Sequence, residues 1–146
     1  MGRLSALSQG IERRLQKRES RLSGITFDAG GLIALDRNDR RVLTLLARAT
    51  ERRMRITIPA TTLAQAMRNP ARQTRLSRLI RQPGTDLVAL AGPDATAVGL
   101  VLARTATADI VDAHVVVCAR RAGQAVVTSD AGDLRRIAPE LRLVAV

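Results

Sequence analysis

The segment Thr107-Ala-Asp-Ile-Val-Asp-Ala-His-Val-Val-Val-Cys-Ala-Arg-Arg-Ala-Gly-Gln-Ala-Val-Val-Thr-Ser-Asp-Ala-Gly-Asp133 decides the fold of this chain. The nearly unbroken apolar run at residues 110–119 is too continuous for a surface helix and predicts a buried one, with Thr107 as its N-cap. Gly123 stands where a left-handed C-cap residue belongs, and the β-branched run at 125–128 predicts a buried strand. The segment therefore predicts a helix, a turn, a strand and a loop.

Carboxylates interrupt this apolar segment at four positions, Asp109, Asp112, Asp130 and Asp133. Asp109 and Asp112 are three residues apart, so they share a face of the first helical turn. Asp130 directly follows the predicted strand. A carboxylate is costly to bury unless it is paired or holds a metal ion. Asp109 fits a helix cap as well as it fits a ligand, whereas Asp112, between two apolar residues, fits a ligand better.

The composition excludes several classes of site. At 146 residues and 46% apolar residues, the chain predicts one globular domain. Phe27 is the only aromatic residue, so stacking of bases on aromatic side chains is not expected. Cys118 and His114 are the only residues of their kinds, which argues against a disulfide and a Cys/His zinc site. No apolar run approaches a membrane span and no secretory signal is visible, so a cytoplasmic protein is expected.

Positive charge is the dominant feature of the surface. The chain carries 24 basic and 13 acidic residues, a net charge of +11, and Lys17 is its only lysine. Such a field favours polyanionic partners, nucleic acid first and acidic proteins second. Residues 1–23 are basic with a thin apolar stripe and are interpreted as a separable N-terminal arm, helical on a partner or disordered, so the domain proper is predicted at 24–146.

Short apolar strands alternate with helices along the rest of the chain. Strands are predicted at 25–27, 55–58, 86–90, 125–128 and 141–146, with helices at 39–53, 63–67, 71–80, 94–104 and the central segment. Thr61 or Thr62 is the predicted cap of the helix at 63–67. This alternation predicts an α/β fold, a parallel β-sheet flanked by helices on both faces.

Sites in such sheets form beyond the carboxyl ends of strands. Asp28 ends the first strand and Asp130 ends the fourth. If those strands are neighbours, the two carboxylates meet, and Asp112 joins them from the start of the adjoining helix. This would be an all-oxygen pocket suited to Mg²⁺ or Mn²⁺.

At these residues the chain resembles the PIN-domain nucleases, specifically the VapC-type toxins of bacterial toxin–antitoxin pairs. The resemblance covers residues 24–146 and rests on order and spacing, because each motif alone is loose. The motifs are Phe27-Asp28-Ala-Gly-Gly-Leu-Ile-Ala-Leu35, Thr62-Leu-Ala-Gln65, Asp112-Ala-His-Val-Val-Val-Cys-Ala119 and Val127-Thr-Ser-Asp130-Ala-Gly-Asp-Leu134.

The resemblance implies a PIN-like fold and a divalent-metal-dependent endoribonuclease that cleaves RNA phosphodiester bonds. It implies inhibition by a VapB-like antitoxin and a homodimer, for which small residues at Ala95, Ala97, Gly99 and Ala103 would allow close helix packing. Catalysis and binding of Mg²⁺ or Mn²⁺ are carried over onto Asp28, Asp112 and Asp130, with Asp109 as a further candidate ligand.

One position departs from the family's pattern. Gln65 replaces the usual acidic residue, which removes a negative charge and bears on the binding of a second metal ion; Asp109 or Asp133 would compensate. Thr128 and Ser129 are candidates to fix a water or a phosphate, although a hydroxyl at a strand end is more often a local cap. The predicted RNA-backbone contacts are Arg37, Arg40, Arg41, Arg72 and Arg75, in the last case within a row that continues to Arg78 and Arg81.

Two other enzyme classes fit less well. A receiver domain requires a lysine near its aspartates, and Lys17 lies outside the domain. A haloacid-dehalogenase-like phosphatase requires Asp-x-Asp after the first strand, whereas Asp28 is followed by alanine and glycine. The remaining alternative is a PIN-like module that binds RNA or a partner with weak or no cleavage, because of Gln65.

Overall fold

The structure is a computed structural model in which residues 2–21 and 24–146 are described. Within them, five strands form one sheet: β1 (Gly24–Phe27), β2 (Arg55–Pro59), β3 (Thr85–Val88), β4 (Ala125–Thr128) and β5 (Leu143–Ala145). All pairings are parallel and the order is β3-β2-β1-β4-β5. The predicted parallel sheet and the predicted pairing of the first and fourth strands are therefore confirmed.

In the described chain, one helix precedes β1, and the others connect the strands on both faces of the sheet. They are α1 (Gly2–Arg21), α2 (Ala29–Asp36), α3 (Arg40–Glu51), α4 (Ala60–Ala66), α5 (Thr74–Arg81), α6 (Gly92–Thr105), α7 (Ile110–Ala122) and α8 (Ala131–Ile137). None of the helices in the described ranges is both long and apolar enough to cross a membrane.

Two apolar cores lie on opposite faces of the sheet, because successive strand residues point to opposite sides. Val127 of β4 belongs to the core built with α2, α3, α4 and α5, around Phe27 and Leu32. Its neighbour Val126 belongs to the core built with α6, α7 and α8, around Val115 and Val116. The central segment thus joins both layers, which explains why β4 is apolar throughout.

Cys118 lies inside α7 and is the free thiol of the described chain. Its side chain is buried, and this burial raises the pKa of the thiol to about 11. The thiol is therefore protonated at neutral pH and behaves as a small apolar side chain.

Two predicted helix caps are wrong. The cap of α7 is Asp109, whose carboxylate accepts from the backbone N–H of Asp112 at 3.0 Å. The hydroxyl of Thr107 instead accepts from the N–H of Asp109, which closes a local turn. Helix α4 begins directly after Pro59, whose backbone is the cap, and Thr62 donates back to the Pro59 carbonyl at 2.8 Å.

Several boundaries also differ from the prediction. The apolar residues 32–35 belong to α2, helix α5 begins at Thr74 rather than 71, and β3 and β5 are shorter than the apolar runs that contain them. The predicted arm contains α1, on which Leu7 is 64% and Ile11 57% exposed. Residues 1, 22 and 23 of the arm lie outside the described part, and the boundary at 23/24 stays a prediction.

Candidate active site

The candidate site lies at the carboxyl edge of the sheet, where β1 and β4 end side by side. Phe27 is in register with Val127, and the N–H of Asp28 donates to the Val127 carbonyl at 3.1 Å. This extra ladder bond carries the pairing one residue past β1. It places Asp28 beside the end of β4, as the sequence predicted.

Two glycines allow α2 to begin against β4. A Cβ atom at Gly31 would lie 2.6 Å from the Val127 carbonyl oxygen, a backbone atom that cannot move aside, and one at Gly30 would overlap the Ser129 hydroxyl. Asp28 caps the helix through Oδ1, which accepts from the N–H of Gly31 at 2.7 Å. The close approach leaves Asp28 only 7% exposed.

Thr128 contacts both residues that follow the strand ends. Its buried hydroxyl accepts from the backbone N–H of Asp130 at 3.0 Å, and a hydrogen bond from the same side chain to Asp28 opposes the rise that burial causes in the pKa of Asp28. Asp130 is exposed and caps α8 by accepting from Gly132 at 3.2 Å. The prediction that a hydroxyl here serves as a local cap therefore describes Thr128, which in addition orients Asp28.

Asp112 completes the site from the first turn of α7. Its pKa is raised to about 6, chiefly by burial, and further by the carboxylates of Asp109, Asp28 and Asp133. Burial, opposed in part by the Thr128 and Gly31 hydrogen bonds, also raises the pKa of Asp28, and the carboxylate of Asp130 adds to this effect. Asp28, Asp109, Asp112, Asp130 and Asp133 are here called the carboxylate cluster. Within it, burial and then neighbouring carboxylates raise the pKa values of Asp28 and Asp112.

The carboxylate cluster fits a hard cation in its donor chemistry. Oxygen donors and unbalanced negative charge favour Mg²⁺ or Mn²⁺. Within residues 2–21 and 24–146, however, no three His, Cys, Asp or Glu side chains are placed so as to hold an ion together. Magnesium usually binds through one or two carboxylates and keeps several waters, and this mode matches the arrangement. Joint ligation by Asp28, Asp112 and Asp130, with or without Asp109, stays a prediction.

The supporting residues are placed less closely. Gln65 is exposed on α4 and makes no side-chain hydrogen bond to the carboxylate cluster among the described residues. Asp133 is exposed in the first turn of α8, 3.8 Å from Arg136. Ser129 is exposed at the rim, against Gly30. The contributions of Gln65 and Ser129 to catalysis stay predictions.

The five arginines predicted to bind the RNA backbone are all exposed. Arg37, Arg40 and Arg41 lie where α2 passes into α3, and Arg41 is paired with Asp39 at 3.1 Å. Arg72 lies just before α5, and Arg75 lies in its first turn. The structure thus brings the first three arginines together, whereas the other two belong to another helix.

A buried network beside the site was missed by sequence reasoning. His114 is fully buried, two residues after Asp112, and its Nδ1 lies 2.7 Å from the hydroxyl of Thr61 in α4. Among the described residues, its Nε2 makes no hydrogen bond and lies 3.7 Å from Asp94 of α6, which also pairs with Arg121. Burial lowers the pKa of His114. A single histidine in an apolar run was the available signal, but its partners are distant in sequence.

Comparisons with known proteins place the fold. No protein-family model matches the chain, and no curated protein matches it. Among solved structures, it is similar to VapBC2 from Rickettsia felis bound to a DNA fragment from their promoter, with 14% identity and a TM-score of 0.60 over 84% of this chain and 98% of that one.

It is also similar to FitAcB from Neisseria gonorrhoeae, with 17% identity and a TM-score of 0.55 over 82% of this chain and 95% of that one. Identities this low establish the fold alone. The five-stranded parallel sheet with helices on both faces matches these neighbours, and the predicted PIN-like fold is confirmed.

Proposed function

We propose that this protein is a divalent-metal-dependent endoribonuclease that acts as the toxin of a VapBC-type toxin–antitoxin pair. One observation carries the proposal: the Thr128 side chain makes hydrogen bonds to Asp28 and to the backbone N–H of Asp130 at the strand ends, and burial together with the carboxylates of Asp109 and Asp28 raises the pKa of Asp112. Perturbed carboxylates that converge in this way are typical of functional sites. The similarity to the VapBC2 and FitAcB structures supports the same function.

The residues have separate tasks in this proposal. Asp28, Asp112 and Asp130 would hold Mg²⁺ or Mn²⁺, which when bound supplies an activated water and neutralises charge on the cleaved phosphate. The Thr128 hydroxyl and the Gly31 N–H fix the orientation of Asp28. Exposed arginines around the site hold the RNA backbone, which gives affinity without sequence preference.

The partners follow from the same resemblance. RNA is the proposed substrate, and a VapB-like antitoxin is the proposed inhibitor, whose C-terminal part would shield Asp28 and Asp130. The excess of 24 basic over 13 acidic residues suits both an RNA and an acidic inhibitor. We also propose a cytoplasmic homodimer; the small residues Ala95, Gly99 and Ala103 of α6 are exposed and available for packing.

A second function is favoured by the geometry at Gln65. The Gln65 amide is exposed and makes no hydrogen bond to the carboxylate cluster, and no three-residue ligand set is present in the described chain. Both observations suit a PIN-like module that binds RNA or a partner and cleaves weakly. Calorimetric titration with Mn²⁺ separates the two functions. The nuclease requires binding that is lost in Asp28→Asn and Asp112→Asn, and the binding module does not.

The test of the nuclease is the substitution Asp112→Asn, which removes charge and keeps shape. We expect loss of Mg²⁺-dependent RNA cleavage by at least about 100-fold, because a charged ligand contributes several kcal/mol to the transition state. The control is Asp86→Asn, the same chemical change on β3, two strands from Asp28. Cleavage at the wild-type rate by Asp112→Asn would refute the assignment of the site.

A further inference from the structure

A basic cavity lies beside β5, the strand next to β4, on the face of the sheet that carries α3. It has a volume of about 360 Å³ and lies between α3 and β5. Arg40, Arg41, Thr44, Leu45 and Arg48 form its helical wall, and residues 144–146 form the other. No acidic side chain lines it.

The positive charge in this cavity is largely uncompensated. Arg41 is paired with Asp39 at 3.1 Å, but Arg40 and Arg48 form no ion pair within the part of the chain that the structure describes. Arg40, Thr44 and Arg48 recur every four residues, so they lie along one face of α3, over about 12 Å of its axis. The cavity therefore presents a line of donors to the solvent.

The placement of Arg40 opposes the stability of α3, whereas Arg48 lies in its last turn, where a cation is favourable. Arg40 and Arg41 occupy the first turn; the N-cap carboxylate of Asp39 pairs with Arg41, and Arg40 has no ion pair in the described chain. The positive end of the helix dipole lies there, so cations in that turn are unfavourable and anions are attracted. Residues that break a local rule without a compensating contact point to a function. Here the missing counter-charge would be supplied by a bound anion.

Register connects the cavity to the site. Ala145 of β5 is paired with Thr128 of β4, and the N–H of Val146 donates to the Thr128 carbonyl at 3.0 Å. Neighbouring strands are about 4.8 Å apart. Ala145 in the wall of the cavity is therefore one strand away from Thr128, whose side chain makes hydrogen bonds to Asp28 and to the backbone N–H of Asp130.

We propose that the cavity between α3 and β5 is a phosphate subsite for RNA, in which Arg40 and Arg48 hold a backbone phosphate next to the one cleaved at the carboxylate cluster. This inference rests on the proposed function. A row of carboxylates repels a polyanion, so a neighbouring cationic groove is needed to keep the strand in place. The subsite gives Arg40 and Arg41 a defined place on the RNA backbone, and it adds Arg48 to the arginines proposed to contact that backbone.

The experiment measures RNA binding as a function of salt. Single-stranded RNA is titrated into Asp112→Asn protein, which is expected not to cleave, with and without Arg40→Gln plus Arg48→Gln. Each lost phosphate contact lowers the slope of log K against log salt by about 0.7, so a decrease of about 0.7 to 1.4 is expected, depending on whether the two arginines hold one phosphate or two. The matched control is Arg104→Gln plus Arg142→Gln, two exposed arginines outside the cavity.

The outcomes separate the two proposals. Equal slopes for the cavity variant and the control would overturn the subsite, as would an Asp112→Asn protein that binds no RNA. If RNA is cleaved and the slopes are equal, the nuclease stands and the subsite fails. If the wild-type protein cleaves no RNA while the slope of log K against log salt is lower for the cavity variant than for the control, the subsite stands and the nuclease fails.

Discussion

Asp112 illustrates how a residue of the candidate site works against the stability of the fold. Its carboxylate is partly buried among like charges, and its pKa is about 6 instead of the ordinary 3.8. A carboxyl group with a raised pKa in the folded state binds its proton more tightly there than in the unfolded chain. Its protonation therefore stabilises the fold as the pH falls through 6, and its charge destabilises the metal-free fold above that pH.

This sign gives a prediction for Asp112→Asn in the absence of metal. We expect the variant to melt about 2–4 °C higher than the wild type at pH 7.5, because relief of the buried charge is on the order of 1 kcal/mol after solvent screening. The difference should shrink toward pH 4.5, where the wild-type carboxyl is protonated. Calorimetry in a chelator at both pH values checks this, and an equal difference at both would contradict it.

Also at the residue scale, the sequence was sufficient to predict the positions of the aspartates that directly follow a strand. Asp28 lies beside the end of β4 because parallel strands finish at one edge, and its carboxylate acts on both Asp112 and Asp130, or is acted on by them. That the three carboxylates hold one ion together stays a prediction. The partners of His114 were not predictable, because Thr61 and Asp94 lie 53 and 20 residues before it and only packing brings them together.

At the scale of elements, the junction of α4 and α7 is held by a polar contact. Thr61 lies in the first turn of α4, and Gln65 follows one helical turn later. The hydrogen bond between Thr61 and His114 fixes the start of α4 against the helix that carries Asp112. Helix α4 is short, with seven residues, so it depends on such contacts more than on its own propensity.

Thr61→Val tests this contact, since valine keeps the shape and removes the hydroxyl. We expect a loss of about 1–3 kcal/mol in the free energy of unfolding, because a buried histidine nitrogen is left unpaired. Urea titration measures the change. Thr50→Val serves as the control, because Thr50 is exposed and bonds only to its own helix at Leu46. A loss no larger than that of the control would show that the contact is not structural.

Elements were predicted better than their ends. The continuous apolar run of α7 and the β-branched run of β4 predicted burial. Strand β4 is buried throughout and α7 over most of its run, but Ile110 at its start is 50% exposed. The predicted N-caps at Thr107 and at Thr61 or Thr62 were wrong, because several residues near the start of each helix can act as a cap. The backbone conformations of Ala106, left-handed, and Pro59 decide which residue is used.

On the scale of the whole molecule, charge and exposed apolar side chains govern association. Leu100 of α6 is 53% exposed and Ile110 at the start of α7 is 50% exposed, near the small residues of α6. A homodimer through this face would bury them.

We expect light scattering of the purified protein to give twice the mass of 15.7 kDa, and we expect added cognate antitoxin to reduce RNA cleavage at least about tenfold. Leu100→Glu should return the protein to the monomeric mass, because a charge at the centre of an apolar contact is costly to bury. A monomer at micromolar concentration would remove the dimer, and full cleavage by a saturated complex would remove the inhibition.

The burial of Cys118 has a practical consequence. Because this thiol is the only one in the chain and lies inside α7, a thiol-reactive reagent labels it only when that helix separates from the sheet. The labelling rate therefore measures how often the segment that carries Asp112 opens, without an engineered probe. Any ion, RNA or inhibitor that binds the closed site lowers the rate at which Cys118 is labelled. Binding at the candidate site can therefore be followed through a residue that contacts none of these ligands.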